Sequence, residues 1–195
     1  PTAEVPVSID NPSSVDTVVS ITATDNSAKS PDDYTTTTVT ATIPAGQTTV
    51  NVSIPITDDT IGEPTEDFTV SGSVTSGNTS NTTDSGTVTI LDDDLPAIAI
   101  GDITVTEGTD PTAEVPVSID NPSSVDTVVS ITTTDNSAMS PDDYTTTTVT
   151  ATIPAGATSV NVSIPITDDN VGDPTEDFTV SGSVTSGNTS NTTDS

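Results

Sequence analysis

Thr48–Phe68 reads TTVNVSIPITDDTIGEPTEDF, and Thr158–Phe178 reads TSVNVSIPITDDNVGDPTEDF. Val50, Val52, Ile54 and Ile56, like Val160, Val162, Ile164 and Ile166, alternate with polar residues at period two. That is the pattern of a β-strand with one buried face. In each copy the strand runs into a loop crowded with carboxylates and leaves through a second strand led by Phe68 or Phe178. Carboxylates packed this closely repel one another, so a folded chain keeps such a loop where water, basic side chains or a metal ion relieves the repulsion.

Basic side chains are nearly absent. The 195 residues hold 30 Asp and Glu against a single basic residue, Lys29, for a formal net charge of −29, with no His and no Cys. Leu, Ile, Val and Phe make up 42 of the 195 residues, near the threshold where low hydrophobicity and high charge read as disorder. The strict alternation argues against disorder, because a disordered chain has no reason to alternate. With no Trp, two Tyr and two Phe, the core is expected to be a thin one of Val, Ile and Ala. It has little margin over chain entropy while the carboxylates repel, and no disulfide can help. The charge excludes nucleic acid and anionic lipid as direct partners and points to cations. No apolar run reaches the length of a membrane span. The chain opens on Pro1 without a leader, so we expect an interior piece of something longer.

An internal repeat organises everything else. Residues 1–85 align without a gap to 111–195, a period of 110, and only seven pairs differ: Ala23/Thr133, Lys29/Met139, Gln47/Ala157, Thr49/Ser159, Thr60/Asn170, Ile61/Val171 and Glu63/Asp173. None of the seven removes a carboxylate. The period exceeds that of solenoids and matches a small autonomous domain. Within one repeat, strands are expected at 3–9, 17–24, 36–43, 48–57, 67–74 and 86–91, with a polar loop at 76–85. A further strand at 97–106 opens the second repeat, its phase slipping at Gly101-Asp102 in the manner of a bulge. Seven short strands with no helical period give an all-β fold of tandem seven-stranded, immunoglobulin-like antiparallel β-sandwiches. The expected domains are 1–94, lacking its first strand, and 95–195, lacking its last. Each would expose a sheet edge unless neighbouring sequence supplies the missing strand.

The order of motifs TVTEG (104–108), PDDYT (141–145), IPAG (153–156) and IPITDDNVGDPTEDFTV (164–180), with ILDDD (90–94) closing the previous copy, resembles the Calx-beta domain over essentially the whole chain. The resemblance implies calcium, Ca2+, at one end of each sandwich. It assigns Glu107, Asp143, Asp168, Asp169, Asp173 and Glu176 as carboxylate ligands in the second copy, with Val171 offering a backbone carbonyl. In the first copy the same roles fall to Asp33, Asp58, Asp59, Ile61, Glu63 and Glu66, and Asp92, Asp93 and Asp94 match the terminal acids. Thr60 and Asn170 depart from the pattern by standing where calcium-binding members often carry a further aspartate.

Elementary coordination chemistry agrees with that assignment. Calcium takes six to eight oxygens in irregular geometry, whereas magnesium demands a tight octahedron. Zinc, copper and iron recruit His or Cys, which this chain lacks. An EF-hand does not fit, because the spacing from Asp168 to Glu176 is too short and no helices flank it. The competing readings are blander. The acids could form a solvated surface, the Thr-rich 34–40 strand an ice-binding face, and paired carboxylates a glycosidase site. The acids gather in inter-strand loops, threonine suits any solvent-facing strand, and aromatic residues are too few to line a cleft. No enzyme activity is expected. Six Asn-x-Ser/Thr sequons (Asn51, Asn78, Asn81, Asn161, Asn188, Asn191) matter only in a glycosylating host.

The resulting expectation is a calcium-stiffened stalk of a long, repetitive, secreted adhesin on a bacterial cell surface. Such arrays occur in gliding-motility filaments and biofilm adhesins. Its partners would be neighbouring repeats of the same chain and other copies of the filament. Asp92–Asp94 precede Leu95-Pro96 directly, so calcium there would lock the joint between repeats. The alternative is a calcium-sensing or ligand-binding module.

Overall fold

The computed structural model describes residues 1–195 and contains strands but no helix. The chain forms two compact units, the first holding β1–β6 and the second β7–β13. In the first unit β1 (Thr2–Ser8) pairs antiparallel with β4 (Thr49–Pro55) in one sheet. A second sheet runs β3 (Thr38–Ile43), β2 (Thr17–Asp25), β5 (Glu66–Ser76), β6 (Thr83–Ile90). The second unit repeats this plan and adds a strand. Its first sheet runs β11 (Ser159–Pro165), β8 (Thr112–Ile119), β7 (Ile98–Ile100), and its second β10 (Thr148–Ile153), β9 (Thr127–Asp135), β12 (Phe178–Ser186), β13 (Thr193–Asp194).

Period-two burial follows from the alternation. Along β4, Val52 and Ile54 point inward while Thr49, Asn51 and Ser53 face solvent. Along β2 and β9 the first positions of the alternation, Thr17, Val19 and Ile21 and their copies Thr127, Val129 and Ile131, are buried. Each core is thin, as the composition requires: Val, Ile and Ala with one Tyr and one Phe. The two aromatic residues meet. Tyr34 stacks on Phe68 with ring centroids 4.1 Å apart and planes 6° from parallel, and Tyr144 stacks on Phe178 at 4.1 Å and 8°. Offset-stacked rings contribute beyond their area burial, about 0.5–1.5 kcal/mol per pair.

Two elements differ from expectation. The strand expected over 97–106 shrinks to Ile98–Ile100. Its ladder with β8 ends where Gly101 donates its N–H to the carbonyl of Pro116 at 2.9 Å. Pro116 has no N–H to return, so the ladder stops rather than bulging. A Cβ on Gly101 would lie 2.5 Å from Pro116 Cγ, so only glycine permits the approach. The polar stretch 76–85 is likewise not all loop. Thr83 onward joins β6, and a hairpin turn begins at Gly77, whose φ of 137° lies outside the usual range of residues with side chains.

Candidate metal centre

The acidic residues are placed by the aromatic stacks. Tyr34 follows Asp33 directly and Phe68 follows Glu66 by two, so stacking the two rings brings the segments carrying those acids together. The PDDY turn is closed on itself. Asp33 donates its N–H to the Lys29 carbonyl at 2.8 Å, and its Oδ2 accepts the Lys29 N–H at 2.5 Å. From the core side, the Tyr34 hydroxyl donates to Asp25 Oδ1 at 2.7 Å, and the same oxygen accepts the Ser30 N–H at 3.2 Å. Burial first, then that hydrogen bond, pushes the Tyr34 phenol up to about 12. Asp25 is held below its ordinary range, chiefly by the tyrosine.

On this scaffold the first unit carries Asp33 and Glu66, both half-buried, while Glu63, also half-buried, lies in the 60–64 segment that groups with the second unit. Glu63 also donates its N–H to the Asp92 carboxylate at 3.1 Å. Asp58, Asp59 and Asp93 are exposed, Asp92 and Asp94 are half-buried, and Ile61 is 39 % exposed. Lys29, the one basic side chain, turns its ammonium to the Asn26 carbonyl. That bond places it on backbone at the rim of the turn.

The second unit assembles the corresponding residues by its own contacts. The Thr104–Asp110 stretch closes a turn in which Asp110 Oδ2 accepts the Thr106 N–H at 2.7 Å and Asp110 N–H donates to the Thr106 carbonyl at 2.8 Å. Gly108, at φ 72°, completes the turn, and a Cβ there would lie 3.0 Å from Asp168 Oδ1. Glu107 Oε1 accepts the Asp169 N–H at 2.9 Å, and Asp169 Oδ1 accepts the Val171 N–H at 2.6 Å. Asp143 Oδ2 accepts the Met139 N–H at 2.6 Å. Partial desolvation, then the charges of Asp143 and Asp173, a hydrogen bond with Asp143 and the charge of Glu107 together hold the Glu176 carboxyl above its ordinary range. Three of the sequence-derived acids thus act on one carboxyl. Asp168, Asp169 and Asp173 lie in exposed loop, and Val171 is 65 % exposed.

Other acids do structural work that sequence reasoning missed. Asp67 accepts from Asn26 Nδ2 and Ser27 Oγ, both at 2.8 Å, and is held below its ordinary range by them. Asp177 does the same with Ser137 and Asn136. These ties pin the DNS turns (Asp25–Ser27, Asp135–Ser137) to β5 and β12. The DNS spacing hints at a turn, but its partner lies about forty residues away, beyond any local pattern.

The donor set these acids offer is oxygen alone and carboxylate-rich, and in the second unit desolvation and then the neighbouring charges hold the Glu176 carboxyl above its ordinary range. Such a set fits a hard divalent cation.

No curated protein matches the chain. Among solved structures, the chain is similar to CBD12 from CALX1.2, with 18 % identity and a TM-score of 0.42, over 94 % of this chain and 72 % of that one. It is similar also to the calcium binding domain CBD12 of CALX1.1, with 18 % identity and a TM-score of 0.43, over 94 % and 73 %. The Calx-beta domain family matches residues 1–94 and again 99–193. With nearly every residue inside one of two successive matches, the chain belongs to the Calx-beta family, as a tandem pair.

Proposed function

We propose that this chain is a calcium-binding structural segment, one stretch of a long extracellular array of near-identical repeats on a bacterial surface. The observation that carries the reading is the convergence of carboxylates on one another. Asp143, Asp173 and Glu107 act on Glu176 in the second unit, and in the first the Tyr34–Phe68 stack draws together the segments that carry Asp33 and Glu66. Calcium would be held by these residues, with Asp58, Asp59, Asp92, Asp93, Asp94, Asp168 and Asp169 near enough in sequence to complete the shell. Ile61 and Val171 would contribute carbonyl oxygens. When bound, the ion supplies positive charge that removes the repulsion. The chain's part is to hold oxygens in place through the Tyr–Phe stacks and the closed PDDY and TEGTD turns.

The stalk reading rests on sequence and charge. Near-identity of the repeats suits a spacer, in which each copy performs the same mechanical task, better than a sensor built of differing domains. A net charge of −29 makes an unneutralised array repel itself and gives a neutralised one reason to stiffen. Extracellular calcium modules bind at roughly 10⁻⁴–10⁻³ M, concentrations met outside cells. An adhesin of gliding or biofilm type is the context such arrays suit best. The test is small-angle scattering on a three-repeat chain with calcium and with chelator. The proposal requires a longer, stiffer particle with calcium, and an unchanged maximum dimension would remove the stalk reading while leaving calcium binding to be judged by calorimetry.

A further inference from the structure

Among the seven pairs by which the two repeats differ, one alone changes charge: Lys29 in the first, Met139 in the second. Its place in the fold gives the difference weight. Lys29 donates its main-chain N–H to Asp33 Oδ2 at 2.5 Å, and its carbonyl accepts the Asp33 N–H at 2.8 Å. Met139 makes the same pair of bonds with Asp143, at 2.6 Å and 2.9 Å. The turn is therefore closed alike in both units, and the side chain leaving it is what differs. The chain has no other basic side chain, so its single lysine stands on the residue whose backbone holds a candidate calcium ligand.

The ammonium is tethered rather than loose. Lys29 Nζ donates to the Asn26 carbonyl. Asn26 is in turn fixed to β5 through its Nδ2, which donates to Asp67 Oδ2 at 2.8 Å and to Thr69 Oγ1 at 2.9 Å. Four carboxylates lie on or against this turn: Asp25, Asp32, Asp33 and Asp67. The lysine charge reaches the first of them, adding to the hydrogen bonds from Tyr34 and Ser30 that hold Asp25 below its ordinary range. In the second unit Asn136 is fixed to Asp177 and Thr179 in the same way, at 3.1 Å and 2.9 Å. Met139, however, brings no charge to the turn and is 49 % exposed. That unit has no basic side chain to set against Asp143, whose charge acts on Glu176 together with those of Asp173 and Glu107.

We infer that Lys29 and Met139 tune the calcium affinities of their repeats in opposite directions. The lysine is a resident counter-charge that weakens binding and lessens the need for it, whereas the methionine leaves the acids to the ion. The inference rests on the calcium reading above and adds to it an order of filling: of two repeats otherwise alike, the one with methionine loads first as calcium rises. The physical reason is Coulombic. An ammonium repels an incoming divalent ion, and the same ammonium relieves the acids when no ion is there. Lys29 is exposed, so salt grades the effect: the Debye length falls from about 30 Å at 0.01 M ionic strength to about 3 Å at 1 M. An array mixing the two kinds of repeat therefore stiffens over a wider span of calcium than one built of either kind.

The test is calorimetric titration with calcium of the full chain and of its Lys29→Met and Met139→Lys variants. At about 0.01 M salt, Lys29→Met should lower the calcium concentration for half-saturation and Met139→Lys should raise it, each about twofold, and both differences should fade at about 1 M salt. In chelator the order of stability should be the reverse, with Met139→Lys melting about 1–3 °C above the unaltered chain and Lys29→Met as much below it. Ala155→Lys is the control, because it adds the same charge in the exposed turn before β11, at the end of that strand away from the acidic loop. It should shift half-saturation less than Met139→Lys does. Half-saturation unchanged by either exchange, a change that survives the higher salt, or an equal effect of Ala155→Lys would overturn the inference while leaving calcium binding in place. Absence of calcium binding in every chain would instead overturn the calcium reading, and the inference with it.

Discussion

At the scale of single residues, the side chains that matter most are those whose protonation the fold has biased. Tyr34 is buried and donates to Asp25, and its phenol is pushed up to about 12. The unfolded phenol titrates near 10. The folded state therefore holds its proton longer, so this stabilisation is complete below about pH 10 and is lost as pH rises toward 12. Denaturant melts at pH 9 and pH 11.5 should show that loss, and the Tyr34→Phe, Tyr144→Phe double variant should show less of it. An equal loss in both chains would mean the tyrosines are not its source. Glu176 is also shifted up, by desolvation and then by the like charges of Asp143, Asp173 and Glu107, so that its charged form is the one the fold disfavours. Glu176→Gln should raise the melting temperature slightly in chelator, by relieving repulsion, while weakening calcium binding about tenfold or more. Calorimetric titration beside melting separates the two effects, and a variant that lowers both would point to a structural carboxylate.

At the scale of elements, the Tyr–Phe stack ties the PDDY turn to the start of β5 and thereby sets where Asp33 stands relative to Glu66. Phe68 is fully buried, so Phe68→Ala should lower stability by about 3–5 kcal/mol, read from chemical denaturation. Gly108 has φ 72° and faces Asp168, so Gly108→Ala should cost about 1–2 kcal/mol and shift the Glu107 turn. A melting curve unchanged by that substitution would show the turn to be more adaptable than its geometry suggests. The strands and acid-rich loops were legible in the sequence because period two and local charge are local signals: Val50 to Ile56 needs no partner to be read. What was not legible was long-range. The Tyr34–Phe68 stack joins residues 34 apart in sequence, and the hydrogen bonds between Asn191 and Ile98 join residues 93 apart. The shortness of β7 depends on a proline, Pro116, in a different strand. Asp67 read as one more acid of the loop, and only its partners Asn26 and Ser27 distinguish it as a structural acceptor.

At the scale of the whole chain, two thin cores must hold together under a charge of −29. Stability that is only several kcal/mol in total leaves little room for unrelieved repulsion, so the account makes the fold itself depend on a divalent cation. Repetition made the domain plan readable from identity alone, since a gapless match at period 110 needs no structural knowledge. The most direct test is thermal melting of this chain in 10 mM calcium and in chelator at the same ionic strength. With dissociation constants of roughly 10⁻⁴–10⁻³ M, each ion adds about 1.4–2.7 kcal/mol, and the midpoint should rise by at least about 5 °C. Equal midpoints in the two conditions would contradict the account.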